Sequence, residues 1–119
     1  AEDFVGAQKT LQQVIARSPR DLLAHVRLGY VQLVRGDDVA SIRSSEKALV
    51  LAQAARDHRE RAYAHLNLAR AYGRSGKIDL ALSHLAQAKS AADISLDEVQ
   101  VDPALAALRQ DPRYLEIVE

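Results

Sequence analysis

Residues 62–91 read AYAHLNLARAYGRSGKIDLALSHLAQAKSA, two runs rich in alanine and leucine on either side of Gly76. Alanine and leucine favour the helix, and glycine is common just after a last helical turn because it adopts positive φ without a steric cost. The small residues Ala69, Ala81 and Ala88 suit positions where two helices approach closely. The segment therefore predicts a pair of antiparallel helices.

The same pattern occurs 40 residues earlier in the chain. Leu28 corresponds to Leu68, and Gly36 corresponds to Gly76. The other corresponding pairs are Ala24 and Ala64, His25 and His65, Gly29 and Ala69, Ser41 and Ala81, Ile42 and Leu82, and Ala48 and Ala88. A single helix pair cannot bury its own apolar face, so the repetition predicts that neighbouring pairs stack.

Apolar periodicity and end signals predict the remaining elements. We expect long helices over about residues 2–17, 22–35, 38–55, 57–75 and 78–92. Asp57 and Glu60 have the spacing of a capping box, in which each side chain binds the backbone N–H of the other residue. A polar loop over 93–102 should precede two short helices, which begin at Asp102 and Asp111 because each is followed by proline, a residue suited to the first helical turn.

The repeated residues resemble the tetratricopeptide repeat, a helix pair of roughly 34 residues. Over 62–91 the matching residues are Leu68, Ala69, Tyr72, Gly76, Ala81, Leu85 and Ala88. The match over 22–51 is weaker, since Gln32 and Ser45 stand where the family has aromatic residues. Residues 4–19 resemble the second half of an upstream unit. The repeat here is 40 residues long, which exceeds the family's roughly 34 residues. We place the additional residues at 51–57, in a longer helix.

The resemblance implies an all-α, right-handed solenoid of antiparallel helix pairs, with about five long helices and a short C-terminal cap. It divides one domain into the second helix of an upstream repeat (1–19), two repeats (22–55 and 58–92) and the cap (101–119). The cap resembles the tail that closes many bacterial repeat proteins. Leu105, Leu108 and Leu115 should therefore cover the helix over 78–92.

Composition argues against several classes of function. The formal net charge is zero, whereas nucleic-acid binding needs a basic excess for the phosphates. Cysteine is absent, which excludes disulfides and thiolate zinc sites, and no apolar run reaches the roughly 20 residues that span a bilayer. The chain begins Ala1-Glu2-Asp3 without a signal peptide or methionine. We expect a processed chain or a fragment, and the compartment, cytoplasmic or periplasmic, stays open.

Residues that often carry chemistry have plainer interpretations here. His25 and His65 occupy equivalent repeat positions about 10 Å apart, which suits packing and is too far for a shared metal ion. Ser44-Ser45 lies within a helix, and glycines occur singly rather than in a phosphate-binding loop. The acidic pairs Asp37-Asp38 and Asp97-Glu98 read as a helix start and a loop. We expect no catalytic residue, metal or cofactor, and interpret the chain as a binding module rather than an enzyme.

In the tetratricopeptide family, the first helix of each pair lines a concave groove that holds a peptide. The resemblance assigns this role to an apolar set and a more polar, basic set of residues. They are Leu23, Val26, Arg27, Tyr30 and Val34 in the first pair, and Tyr63, Leu66, Asn67, Arg70 and Arg74 in the second. Such a surface suits an extended or helical segment that carries apolar anchors and an acidic group.

We therefore expect a protein or peptide partner, and neither nucleic-acid binding nor membrane insertion. The alternative interpretation is structural. Leu23, Val26 and Tyr30 would then pack on an upstream helix or on a second copy, as the self-associating or solenoid-extending part of a larger chain. A homo-oligomer belongs to this alternative.

Overall fold

The computed structural model describes residues 3–119, and within that range it contains helices and no strand. The elements are α1 (Phe4–Arg17), α2 (Leu22–Val34), α3 (Asp38–Ala55), α4 (His58–Arg74), α5 (Ile78–Ala91), α6 (Asp97–Val101), a 3₁₀ turn (Pro103–Leu105), α7 (Ala106–Gln110) and α8 (Pro112–Val118). Consecutive long helices pack against each other, and α4 also packs against α2. The predicted all-α class is confirmed.

The first four long helices begin at aspartate caps, and two of them are followed by glycine, close to the predicted positions. An aspartate side chain accepts a hydrogen bond from the backbone N–H three residues later at the start of each of the first four helices. Gly36 and Gly76 follow α2 and α4 with φ angles of 85° and 80°. The expected start of the first helix at Glu2 lies outside the described residues.

Part of the predicted polar loop is helical. The segment over 93–102 contains α6, because Leu96 and Val99 bury their side chains in the core beside α5. The Asp97 N–H donates to Ser95 Oγ at 3.2 Å, which supports the turn where α6 begins. Two buried apolar residues in a polar segment are too few for periodicity to reveal a helix.

The small residues at two pairs of equivalent positions, 40 residues apart, are equally buried. Ser41, Ala48, Ala81 and Ala88 have no exposed surface. Ser41 Oγ donates to the carbonyl oxygen of Gly29 at 2.7 Å, so α3 reaches the backbone of α2 at this point. The packing therefore repeats with the 40-residue spacing of the sequence.

The C-terminal tail, by which we mean residues 93–119, covers α4 and α5, but not through all of the predicted residues. Leu105 and Leu108 are fully buried, whereas Leu115 is exposed and its prediction was wrong. Tyr114 is buried instead, because α8 turns this neighbouring position toward the core and leaves Leu115 on the solvent side. Gly73 of α4 makes room for the tail, since a Cβ there would lie 2.5 Å from Leu105 Cδ2.

A histidine pair that the sequence did not predict lies between α4 and α5. Nδ1 of His65 and Nδ1 of His84 are 3.0 Å apart, so one ring donates and the other accepts. Burial, the facing His84 ring and Arg61 together lower the pKa of His65 from 6.5 to about 4. Burial also lowers the pKa of His84. His25 is held elsewhere, with Nε2 2.8 Å from the Pro19 carbonyl oxygen.

Replacing Gly29 or Ala88 by leucine should lower the free energy of unfolding. A Cβ at Gly29 would lie 2.5 Å from Ser45 Oγ, and Ala88 is fully buried, so a larger side chain must push a neighbouring helix away. We expect a loss of about 1–3 kcal/mol or more in urea unfolding. Gln87→Leu, on the exposed side of α5, is the control. Equal stability of all three variants would contradict the repeat alignment.

The histidine pair should make the protein less stable in weak acid. His65 stays neutral in the folded state down to about pH 4 but titrates near 6.5 when unfolded, so the unfolded chain binds more protons between these values. The free energy of unfolding therefore has its full value above pH 6.5 and decreases as the pH falls toward 4. The slope is up to about 1.4 kcal/mol per pH unit.

Urea unfolding of His65→Gln across the same pH range checks this assignment. Glutamine keeps a hydrogen-bonding group without a titrating ring, so the slope should become shallower. His58→Gln, at an exposed position of α4, should retain the wild-type slope. A wild-type slope in His65→Gln would show that the buried pair is not the cause.

Candidate functional site

A cavity of about 450 Å³, which we call the groove, lies between α2, α4 and the start of the tail. Seven of the ten predicted site residues line it: Val26, Arg27, Tyr30, Tyr63, Leu66, Asn67 and Arg70. The other lining residues are Glu60, Ser95 and Glu98. Residues of α2 and α4 therefore line one recess.

Helical spacing brings these side chains to one face of each helix. Val26 and Tyr30 are one turn apart on α2, and Tyr63, Leu66 and Arg70 follow one another at one-turn intervals on α4. Asn67 is buried, and its Nδ2 donates to the carbonyl oxygen of Val26 at 3.1 Å. This bond holds α4 directly against the backbone of α2 at the floor of the groove.

The three remaining predicted residues lie outside the groove. Leu23 and Val34 are exposed elsewhere on α2. Arg74 Nη1 donates to the carbonyl oxygen of Leu33 at 2.8 Å, and Nη2 lies 3.7 Å from Asp38 Oδ1. Arg74 thus binds the end of α2, where carbonyl groups lack helical partners, and its charge is directed away from the groove.

Arg70 lines the groove but is already paired within the chain. Its Nη1 donates to Glu98 Oε2 at 2.5 Å, and its Nη2 lies 3.6 Å from Asp102 Oδ2. Its guanidinium carbon also lies 6.0 Å from the centre of the Tyr30 ring. Carboxylates of the same chain therefore pair with both Arg70 and Arg74 of the predicted basic set.

Glu60 reaches the groove because the predicted capping box is only half formed. Asp57 Oδ1 accepts from the Glu60 N–H at 3.0 Å, as the spacing predicted. The Asp57 N–H, however, donates to the carbonyl oxygen of Ala52 at 3.0 Å, since Arg56 has a φ of 56° and turns the chain back onto α3. The Glu60 carboxylate takes no part in capping and lines the groove instead.

The carboxylates of the groove lie on two different elements. Burial raises the pKa of Glu60, and Asp57 raises it further, while Arg27 and Arg59 act in the opposite direction. Glu98 belongs to α6, and Tyr30 Oη donates to its Oε1 at 3.4 Å. Sequence analysis placed Glu98 in a loop and so did not connect it with the groove.

A second recess adjoins the groove between α1 and α2. Arg27 and Tyr30 line both recesses. The other residues of the second recess are Asp3, Phe4, Ala7, Thr10, Leu11 and Val31. An extended segment can therefore cross Tyr30 and contact apolar side chains on either side of it.

The groove combines aliphatic side chains, two phenol rings, carboxylates and guanidinium groups. In the part of the chain that the structure describes, no three histidine, aspartate or glutamate side chains are grouped to hold a metal ion. None of the helices over residues 3–119 has both the length and the apolarity that crossing a bilayer requires. The side chains that line the groove can make apolar contacts and ion pairs.

Comparison with known proteins did not identify a relative. No protein-family model matches the chain, and searches of curated proteins and of solved structures found no significant match.

Proposed function

We propose that this chain is a tetratricopeptide-like module that binds a segment of another protein in the groove. The 40-residue repeat and the full burial of small residues at equivalent helix contacts support the repeat assignment. In the proposed topology, α1, the pairs α2–α3 and α4–α5, and the tail follow one another in a right-handed solenoid.

The position and lining of the groove carry this proposal. It lies on α2 and α4, the first helices of the two proposed repeats, where members of the family bind peptides. Val26, Leu66, Tyr30 and Tyr63 give it an apolar and aromatic surface. Recesses of this composition with a few placed polar groups are typical binding sites, and aromatic anchors contribute strongly to binding energy.

A second candidate function, self-association, is favoured by the surface of the first two helices. No residue of α1 over Phe4–Arg17 is fully buried. Val5, Leu23 and Val34 are large apolar residues that are exposed on α1 and α2. A second copy, or further helices of a longer solenoid, would cover this surface.

Tyr30→Ala should weaken peptide binding without unfolding the protein. Peptides selected from a displayed random library by the wild-type chain serve as probes, and their dissociation constants are measured by calorimetry. Tyr30 is 36% exposed, so part of its side chain is accessible to a ligand, and the substitution deletes the ring that lines both recesses. We expect a loss of about 2 kcal/mol, roughly thirtyfold in Kd.

Val50→Ala is the matched control, because Val50 is an exposed apolar residue of α3 away from the groove. It should bind the selected peptides like the wild type. Equal binding by Tyr30→Ala would reject the groove as the site. Sedimentation at several concentrations tests the second candidate, since a tight dimer that Tyr30→Ala dissociates would favour self-association.

A further inference from the structure

We propose that the groove accepts a cation from its ligand, a lysine or arginine side chain placed between Glu60 and Glu98 and near the rings of Tyr30 and Tyr63. The proposal rests on the peptide-binding function proposed above. It reverses the acidic ligand group expected from the sequence, because Arg70 and Arg74 already have carboxylate partners.

Arg70 has little capacity for an acidic ligand. It is only 8% exposed, and two carboxylates, Glu98 and Asp102, lie within ion-pair distance of it. A ligand carboxylate would have to displace Glu98, whose helix is anchored by the fully buried Val99. One guanidinium is shared by these two carboxylates, so Arg70 neutralises the Glu98 carboxylate only in part.

Glu98 presents part of that negative charge to the groove. Its side chain is 55% exposed although one of its oxygens accepts from Arg70. The other oxygen accepts a long hydrogen bond, 3.4 Å, from Tyr30 Oη. Carboxylates have about four acceptor positions, so Glu98 can accept from a second cation while it keeps Arg70.

Glu60 places a second carboxylate on the same recess. Its pKa is raised by burial and by the neighbouring Asp57, which means that its charged form lacks sufficient compensation. Arg27 supplies some, but it is exposed and also lines the recess toward α1. A ligand cation would stabilise the Glu60 carboxylate, whereas a ligand anion would add to the repulsion.

The aromatic lining is compatible with a cation. The guanidinium carbon of Arg59 lies 5.4 Å from the centre of the Tyr63 ring, and that of Arg70 lies 6.0 Å from the centre of the Tyr30 ring. Arg59 Nη2 also donates to Tyr63 Oη at 2.9 Å, and phenol rings attract cations at centroid distances of this size. A lysine or arginine stem also adds apolar contact beside Val26 and Leu66.

The test uses the displayed random peptide library and two charge variants. The wild-type chain should select peptides enriched in lysine or arginine relative to the unselected library. Glu60→Gln with Glu98→Gln should still select apolar and aromatic anchors but lose that enrichment, since glutamine keeps hydrogen-bonding groups without the charge. Glu46→Gln with Glu116→Gln removes the same amount of charge at exposed positions of α3 and α8. This control should keep the enrichment in lysine or arginine.

A direct measurement uses one selected peptide and a copy in which its basic residue is norleucine. The wild-type chain should bind the basic peptide about tenfold more tightly at low salt, and less so at high salt because charges at a partly open site are screened. In Glu60→Gln with Glu98→Gln, the two peptides should bind equally.

The outcomes separate this inference from the function on which it rests. Selection of anchored peptides without basic enrichment overturns the cation inference and leaves peptide binding intact. Enrichment in aspartate or glutamate overturns it as well, and would mean that a ligand acid displaces Glu98 from Arg70. Failure to select any peptide rejects the binding function and the inference together.

Discussion

Three helices meet at Gly29, and the absence of a side chain there sets the distances around it. A Cβ at this position would lie 2.5 Å from Ser45 Oγ of α3 and 3.3 Å from Asn67 Nδ2 of α4. The carbonyl oxygen of Gly29 accepts from Ser41, and that of Val26, one turn earlier, accepts from Asn67. The walls of the groove are therefore positioned by side-chain bonds to the backbone of α2, which tolerate little displacement.

The ion pairs around the groove orient the Glu98 side chain more than they stabilise the fold. Exposed pairs contribute on the order of 0–1 kcal/mol, and Glu98 is more than half exposed. Arg70 is largely buried, so its charge requires a partner whatever that pair contributes. The arrangement holds the Glu98 carboxylate beside Tyr30 and gives the groove a polar edge next to its apolar floor.

The long helices lie close to their predicted positions because the sequence signals that define them are local. Aspartate caps, Gly36 and Gly76, and apolar spacing all depend on residues within one or two turns. Seven of the residues that the family resemblance assigned to a binding surface line the groove, and their helical spacing places them on one face of each helix. The partners of Arg70 and Arg74 were not predicted, because Glu98, Asp102 and Leu33 are distant from them in sequence.

Other errors arose where the backbone departs from the usual conformation. Arg56 adopts a left-handed conformation that favours glycine or asparagine, and nothing in the residue type indicates it. That conformation redirects the Asp57 N–H and leaves the Glu60 carboxylate for the groove. The pairing of His65 with His84 likewise needed the relative rotation of two helices, which a repeat pattern does not specify.

Leu105, which packs against Gly73, links the C-terminal tail to the groove. Leu105 packs there and Val99 anchors α6, so the tail that supplies Glu98 and Ser95 forms one wall of the recess. Affinity and local folding are then thermodynamically linked: any molecule held by this wall must favour the docked tail over the detached one. Occupancy of the groove would therefore slow amide hydrogen exchange in α6 and α7, well beyond the atoms that the bound molecule touches.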